Sequence, residues 1–264
     1  IQEQFFDIGA NLTHESFEAD LDDVISKAQE SGVKRFSITG SSLNESISAI
    51  EIAKKFPNSC ISTAGIHPHN AKEYSPSSFS EIRDLLEEDV VKSIGETGLD
   101  FYRNFSAAKQ QELSFEAHLE LAIETRYPLF LHERDAHKRF IEIISPYKED
   151  LPKSVVHCFT GNKDALEKYI EMGFYIGITG WLCDERRGKH LIDLIPIIPL
   201  DKLMIETDCP YLLPRDMGID NSTRNEPQFL KHIAGRIAEI RPESKELLFS
   251  AIYMNSLDFF DVTF

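Results

Sequence analysis

Five residues follow short apolar runs: His67 after Ile61–Ala64, Glu96 after Val90–Ile94, His132 after Leu129–Leu131, His157 after Val155–Val156 and Asp208 after Leu203–Ile205. Imidazole nitrogens and carboxylate oxygens are the donors that hold borderline and hard divalent cations. Singly, each has an ordinary explanation. A histidine beyond a strand usually makes a structural hydrogen bond, and a glutamate there is usually solvated. Five strand ends with the same pattern point instead to a divalent-metal site, with Glu96, His132, His157 and Asp208 as candidate ligands. Such a cation polarises an oxygen of the substrate and acidifies water, which is hydrolytic chemistry.

The neighbours fit that reading. Gly95-Glu96-Thr97-Gly98-Leu99-Asp100 sets glycines on both sides of the glutamate, allowing close backbone approach. His132-Glu133-Arg134-Asp135 puts an arginine beside a candidate ligand. In Glu206-Thr207-Asp208, strand alternation gives the two carboxylates one facing. Asp208 should face the cation, with Glu206 deeper, as a partner behind it.

The elements that would position these residues alternate regularly. Eight strand candidates are Phe5–Ile8, Phe36–Thr39, Ile61–Ala64, Val90–Ile94, Leu129–Leu131, Val155–Val156, Phe174–Ile178 and Leu203–Ile205. Between them apolar residues recur at one-turn spacing, as in Leu21, Val24, Ile25 and Ala28, or Phe115, Leu119, Ala122 and Ile123. Strand then helix, eight times over, predicts an α/β fold, a (β/α)₈ TIM barrel, rather than an open doubly wound sheet. Barrel enzymes gather their sites where the strands end. Glu243 to Leu257 reads as an extra helix, and no linker divides the chain, so one domain over residues 1–264 is expected.

Composition narrows the class. Of 264 residues, 42% are hydrophobic and 27% charged, enough for a sizeable core in a soluble protein. No apolar run reaches membrane-spanning length. Ile1–Phe6 shows no basic segment leading into an apolar stretch, so no signal peptide is expected. Cys60, Cys158, Cys183 and Cys209 form no CxxC pair, which predicts free thiols in a reducing, cytoplasmic compartment. A net charge of −16 excludes a nucleic-acid coat protein but not an enzyme that handles phosphates at one place. Arg103, Lys138, Arg139, Arg186, Arg187, Arg215, Arg224 and above all Arg134 fall in the segments after strands, where they could hold phosphate or simply pair with local acids. Phe101, Tyr102, Phe105, Phe159, Trp181 and Tyr211 fall there too. One or two could stack a nucleobase, although packing of loops is their usual fate.

Several segments carry a resemblance. They are Asp-Ile-Gly-Ala-Asn-Leu (7–12), Ala-Gly-Ile-His-Pro-His (64–69), Ile-Gly-Glu-Thr-Gly-Leu-Asp-Phe (94–101) and Leu-His-Glu-Arg-Asp-Ala-His (131–137). Val-His-Cys-Phe-Thr-Gly (156–161), Tyr-Ile-Gly-Ile-Thr-Gly-Trp (175–181), Ile-Glu-Thr-Asp-Cys-Pro-Tyr-Leu (205–212) and Arg-Asn-Glu-Pro (224–227) follow in order. Together they resemble the TatD family of metal-dependent DNases over nearly the whole chain. The resemblance implies an amidohydrolase-like barrel that hydrolyses DNA phosphodiester bonds. It implies Glu96 as a metal-bridging carboxylate, His132 and His157 as ligands of one ion, Asp208 on the other ion or the attacking water, and His67 beside the substrate phosphate. Asp208, Glu96 and His67 are then the expected catalytic set, with His67, Arg134, Asn11, Arg103 and Arg215 on the substrate.

One departure stands out. Much of the broader family opens with a His-x-His pair where this chain has Gly9 and Asn11. Oxygen donors such as Asn11 and Asp208 would then serve, favouring Mg²⁺ or Mn²⁺ over Zn²⁺, as one or two ions. A barrel mouth suits a strand end, so the expected activity is exonucleolytic on single-stranded DNA, in DNA repair or degradation. An amidohydrolase of a small cyclic amide, ester or lactone is the alternative, disfavoured by the missing histidine pair. A non-enzymatic barrel would predict broken ligand positions, and these are intact.

Overall fold

The computed structural model describes residues 3–263. Residues 1 and 2, part of the segment read for a leader, lie outside the described residues. The eight strands are β1 (Phe5–Ala10), β2 (Val33–Ile38), β3 (Cys60–Ala64), β4 (Val91–Asp100), β5 (Leu129–Arg134), β6 (Ser154–Val156), β7 (Tyr175–Ile178) and β8 (Leu203–Ile205). They follow one another in a single sheet in the order β1 to β8. The helices are α1 (Leu21–Glu30), α2 (Leu43–Lys55), α3 (Pro76–Leu85), α4 (Ala108–Thr125), α5 (His137–Ile144), α6 (Lys163–Glu171), α7 (Lys189–Leu194), α8 (Leu230–Ile240) and α9 (Lys245–Phe260). The fold is a (β/α)₈ barrel, as the alternation predicts. Helix starts are set by local chemistry. The Ser42 hydroxyl accepts the Glu45 N–H at the start of α2, and Ser75 and Ser78 form a reciprocal cap on α3.

The chain divides into two compact units, Ile38–His157 and the pair of segments Ile1–Ser37 with Cys158–Phe264. In the first, β3, β4, β5 and β6 pair in parallel, with Ser62 opposite Val91, Ile94 opposite Leu129 and Leu131 opposite Val156. Phe115 of α4 stacks on Phe140 of α5 at 4.9 Å between centroids, and both are fully buried. In the second, β1 lies beside the end of β8: the Asp208 N–H donates to the Gly9 carbonyl at 2.8 Å, and the Asn11 N–H donates to the Cys209 carbonyl at 3.0 Å. The extra helix expected at Glu243 to Leu257 is α9. It buries Phe249 against Phe5, Phe260 against Phe6 and Phe259 against Tyr175.

Strands β4 and β5 run further than their apolar residues suggest. The ladder continues through Gly98 opposite His132, Leu99 opposite Glu133 and Asp100 opposite Arg134. Glu96 and His132 therefore lie inside strands, not beyond them. Cross-strand pairing decides the boundary here, and hydrophobicity does not. Gly98 makes the close pairing possible. Its φ is +146°, and a Cβ there would fall 1.9 Å from the His132 carbonyl oxygen. We expect Gly98→Ala to lose at least about 2 kcal/mol of stability from this overlap. A urea midpoint equal to that of the wild type would contradict this reading.

Candidate active site

Glu96 is aimed by a bulge. Gly95 stands opposite Phe130 and Thr97 opposite Leu131, so Glu96 is the extra residue of β4. Its N–H donates to the Gly40 carbonyl at 2.8 Å. Released from the ladder, the side chain gathers three of the expected histidines on one oxygen. Glu96 Oε1 lies 2.6 Å from His157 Nε2, 3.0 Å from His132 Nδ1 and 3.2 Å from His67 Nε2. Glu96, His157 and His67 are buried.

Hydrogen-bond partners assign the ring tautomers. His67 Nδ1 accepts the His69 N–H at 2.9 Å, so the neutral ring carries its proton on Nε2 and donates it to Glu96. Burial pushes the His67 pKa down to about 4, which keeps that ring neutral. His67 thus offers Glu96 a donor and not a lone pair. His132 is the opposite case. Its Nε2 lies 3.2 Å from Asp100 Oδ2, a carboxylate that can only accept, so Nε2 carries a proton. In a neutral ring the Nδ1 lone pair would then face Glu96 Oε1 across 3.0 Å, acceptor against acceptor. A positive charge must sit between them. Burial disfavours a second proton on His132, yet the hydrogen bonds to Asp100 and Glu96 outweigh it and raise the pKa. Burial alone would also raise Glu96, but the imidazoles of His157, His67 and His132 hold it well below the usual carboxylate range. A divalent cation satisfies the same electrostatic demand as that proton. Glu96, His132 Nδ1 and His157 Nε2 therefore fit a metal, with Asp100 fixing the His132 tautomer from behind.

Asp100 and His69 were not singled out as site residues by sequence reasoning. Asp100 Oδ2 also lies 2.9 Å from His69 Nε2. Against the pull of burial, hydrogen bonds from His132, His69 and the Arg103 N–H hold the Asp100 carboxyl far below its ordinary range. Gln111 of α4 accepts the Asp100 N–H at 2.8 Å and donates to the Asp100 carbonyl at 3.0 Å. His118 of the same helix donates from Nδ1 to the Ser114 carbonyl and accepts the Ile66 N–H on Nε2, which fixes the backbone next to His67. A readable signal existed for Asp100, because Gly98 and Asp100 alternate onto one face of the strand and Gly98 pairs with His132. Ending the strand at Ile94 hid it.

In the other unit, Asn11 and Asp208 meet. Asn11 Nδ2 donates to Asp208 Oδ1 at 2.9 Å and to the Cys209 carbonyl at 3.0 Å. Asp208 has a left-handed backbone, with φ of 54°. Glu206 and Asp208 bring ligand oxygens within 4.8 Å of one another, as expected of neighbours on one face. Asp7 occupies the fully buried start of this cluster, accepting the Thr207 N–H at 2.9 Å and the Thr207 hydroxyl at 2.5 Å. Burial, with the Glu206 carboxylate adding to it, pushes the Asp7 pKa up to about 7 from 3.8.

The arginines divide into two groups. Arg215 turns to Glu185 at 3.4 Å and Asp184 at 3.9 Å. Arg186 and Arg187 also pair with Asp184, Arg139 with Glu112 and Glu142, and Arg224 with Asp20 and Glu226. Local acids hold these five, the ordinary alternative for surface arginines. Arg134 instead lies over the Tyr102 ring at 3.8 Å, and Arg103 lies near Tyr102 and Phe105. Among the aromatics considered for stacking, Phe159 is buried, and Tyr102, Phe105 and Tyr211 are exposed.

Two outcomes follow from this wiring. Asp100→Asn should free the His132 tautomer and weaken Mn²⁺ binding roughly 10–100-fold, the usual effect of losing such a partner; unchanged calorimetric affinity would refute the assignment. Asp7 has a folded pKa above its unfolded value, so its contribution favours folding below about pH 4 and is lost as pH rises through about 7. Asp7→Asn should therefore gain on the wild type between pH 5 and pH 8. Parallel stability–pH curves for the two proteins would show that Asp7 does not titrate this way.

Comparison with known proteins gives the family. The family model for TatD-related DNases matches residues 6–261. A 3′-5′ ssDNA/RNA exonuclease TatD of Salmonella typhimurium (strain LT2) is 47% identical over 260 residues, covering 98% of this chain and 100% of the relative. The enzyme of the same name from Pantoea vagans is 49% identical over 256 residues, covering 97% and 98%. Among solved structures, a TatD homolog from Escherichia coli K12 superposes with a TM-score of 0.92 at 23% identity over 100% of both chains, a likeness of fold. A TatD family hydrolase from Entamoeba histolytica gives 0.86 at 30% identity over 98% of each. With residues 6–261 matched by the TatD model and nearly half of the aligned positions identical to these exonucleases, the chain belongs to the family of TatD-related DNases.

Proposed function

We propose that this protein is a divalent-metal-dependent exonuclease that trims single-stranded DNA, and RNA with it, from the 3′ end. The convergence of His132 Nδ1 and His157 Nε2 on the buried Glu96 carboxylate carries the reading, because it is a donor set that suits a divalent cation. The names of the relatives support the polarity and the single-stranded substrate. Glu96, His132 and His157 would hold the ion, and Asp208 supplies a further oxygen by family resemblance. The ion would neutralise charge on a phosphate oxygen and acidify a water. Mg²⁺ or Mn²⁺ fits the replacement of the first-strand histidines by Gly9 and Asn11.

The residues of the chain do the rest. His67, neutral with its proton on Nε2, would turn that N–H from Glu96 to a phosphate oxygen once a cation takes up the Glu96 charge, and would stabilise the charge that grows there. Asp208, oriented by the Asn11 amide on Oδ1, would position the attacking water and take its proton. Arg134 and Arg103 hold the strand, with Asn11 as a further contact; Arg215 would join them only by leaving Glu185 and Asp184. The four cysteines, none of them in a disulfide among the described residues, support a reducing cytoplasmic setting, where DNA repair or degradation would use the activity.

Chelation should abolish release of nucleotides from a 3′-labelled single strand, and Mg²⁺ or Mn²⁺ should restore it better than Zn²⁺. Glu96→Gln and His132→Ala should lose both metal binding and turnover. Asp208→Asn should lower kcat about 10²–10⁴-fold, the range expected for removing a general base. A folded Glu96→Gln protein that degrades DNA at the wild-type rate would overturn the proposal.

A further inference from the structure

The segment after β4 displays aromatic side chains where burial is the usual outcome. Tyr102 and Phe105 are each 57% exposed. Their loop is nevertheless firmly held. Asp100 Oδ1 accepts the Tyr102 N–H at 3.0 Å and the Arg103 N–H at 2.9 Å. Gln111 donates to the Ser106 carbonyl at 2.9 Å, and the Ser106 hydroxyl donates to the His69 carbonyl at 2.9 Å. The rings are thus open to solvent on a fixed backbone.

They also adjoin the histidine cluster. Phe105 stands edge to face with His69, centroids 4.9 Å apart, and the His69 ring is 4.3 Å from that of His67. The Arg103 guanidinium lies 5.8 Å from the Tyr102 centroid and 5.9 Å from that of Phe105. Arg103 is exposed, and its guanidinium lies beside these two rings. A hydrophobic ring and a guanidinium, side by side and one ring away from the Glu96 cluster, complement a base and the phosphate attached to it.

Building on the exonuclease reading, we propose that Phe105 is the platform on which a nucleobase of the single-stranded substrate stacks, with Arg103 holding the neighbouring phosphate. Stacking reads a π-face that every base has, and a phosphate contact ignores the sugar. The arrangement therefore selects unpaired strands without selecting sequence, and accepts DNA and RNA alike. A base inside a duplex cannot present its face to Phe105.

The test pairs protein and substrate changes. Oligonucleotides carry 2-aminopurine, or an abasic site, at each of the three 3′-terminal positions in turn. In chelator, where turnover stops, wild-type protein should quench 2-aminopurine at one position. Phe105→Leu should lose that quenching and Phe105→Trp should keep it. On unmodified strands Phe105→Leu should raise KM about tenfold with kcat little changed, within the range of one lost base stack. On strands abasic at the quenched position, wild type and Phe105→Leu should match. Arg103→Gln should raise KM and flatten its salt dependence. Equal KM and quenching for Phe105→Leu and wild type, or an equal penalty on abasic strands, would overturn the platform while leaving the nuclease intact. Wild-type protein that cleaves no strand in Mg²⁺ or Mn²⁺ would overturn the exonuclease reading itself.

Discussion

A carboxylate taken out of water must be given positive charge or lose its own. Glu96 is such a carboxylate, and much of the unit Ile38–His157 can be understood as the answer to that demand. Three imidazoles come from the ends of β3, β5 and β6 to one oxygen of a residue on β4. None of them brings a permanent charge. The site is therefore one acceptor too rich when its histidines are neutral, and a bound cation is the economical remedy.

Around this point lies a ring of polar groups that fixes which atom faces inward. His69 turns His67 by accepting nothing from it and donating its backbone N–H to Nδ1. Asp100 turns His132 by accepting at Nε2. Gln111 and His118, both on α4, hold Asp100 and the segment before His67 through backbone hydrogen bonds. One helix thus steadies two of the three imidazoles without touching either. Burial of polar groups on that scale is tolerated because each finds a partner.

The architecture was largely legible from the sequence, because eight short apolar runs separated by one-turn periodicity admit few folds. All eight strands stand where those runs stand, β8 with the predicted limits and β4 much longer. The error at β4 is instructive. Apolar patterning stops at Ile94, but backbone pairing with β5 does not, and the six polar or glycine-rich positions up to Asp100 carry the site. His67, Glu96, His132 and His157 were recoverable since each is a metal-binding residue type that closely follows an apolar run. Asp100, Gln111 and His118 were not, because their roles lie in what they hold and not in their own chemistry. Charge bookkeeping on arginines was equally opaque. Arg139, Arg186, Arg187, Arg215 and Arg224 share composition and loop position with Arg103, and only the fold shows which carboxylates reach them.

The division of the chain has a bearing on its synthesis. The segment Ile38–His157 is continuous, so a ribosome delivers all of His67, Glu96, His132 and His157 in a single pass. The other unit is assembled from both flanks, and β1 finds the backbone of Asp208 and Cys209, and the rings of α9, only after some two hundred further residues have emerged. Until then β1 has β2 on one edge, and its other edge stays open to wrong partners. A nascent chain of this design completes its histidine-bearing unit while one edge of its first strand still waits for β8.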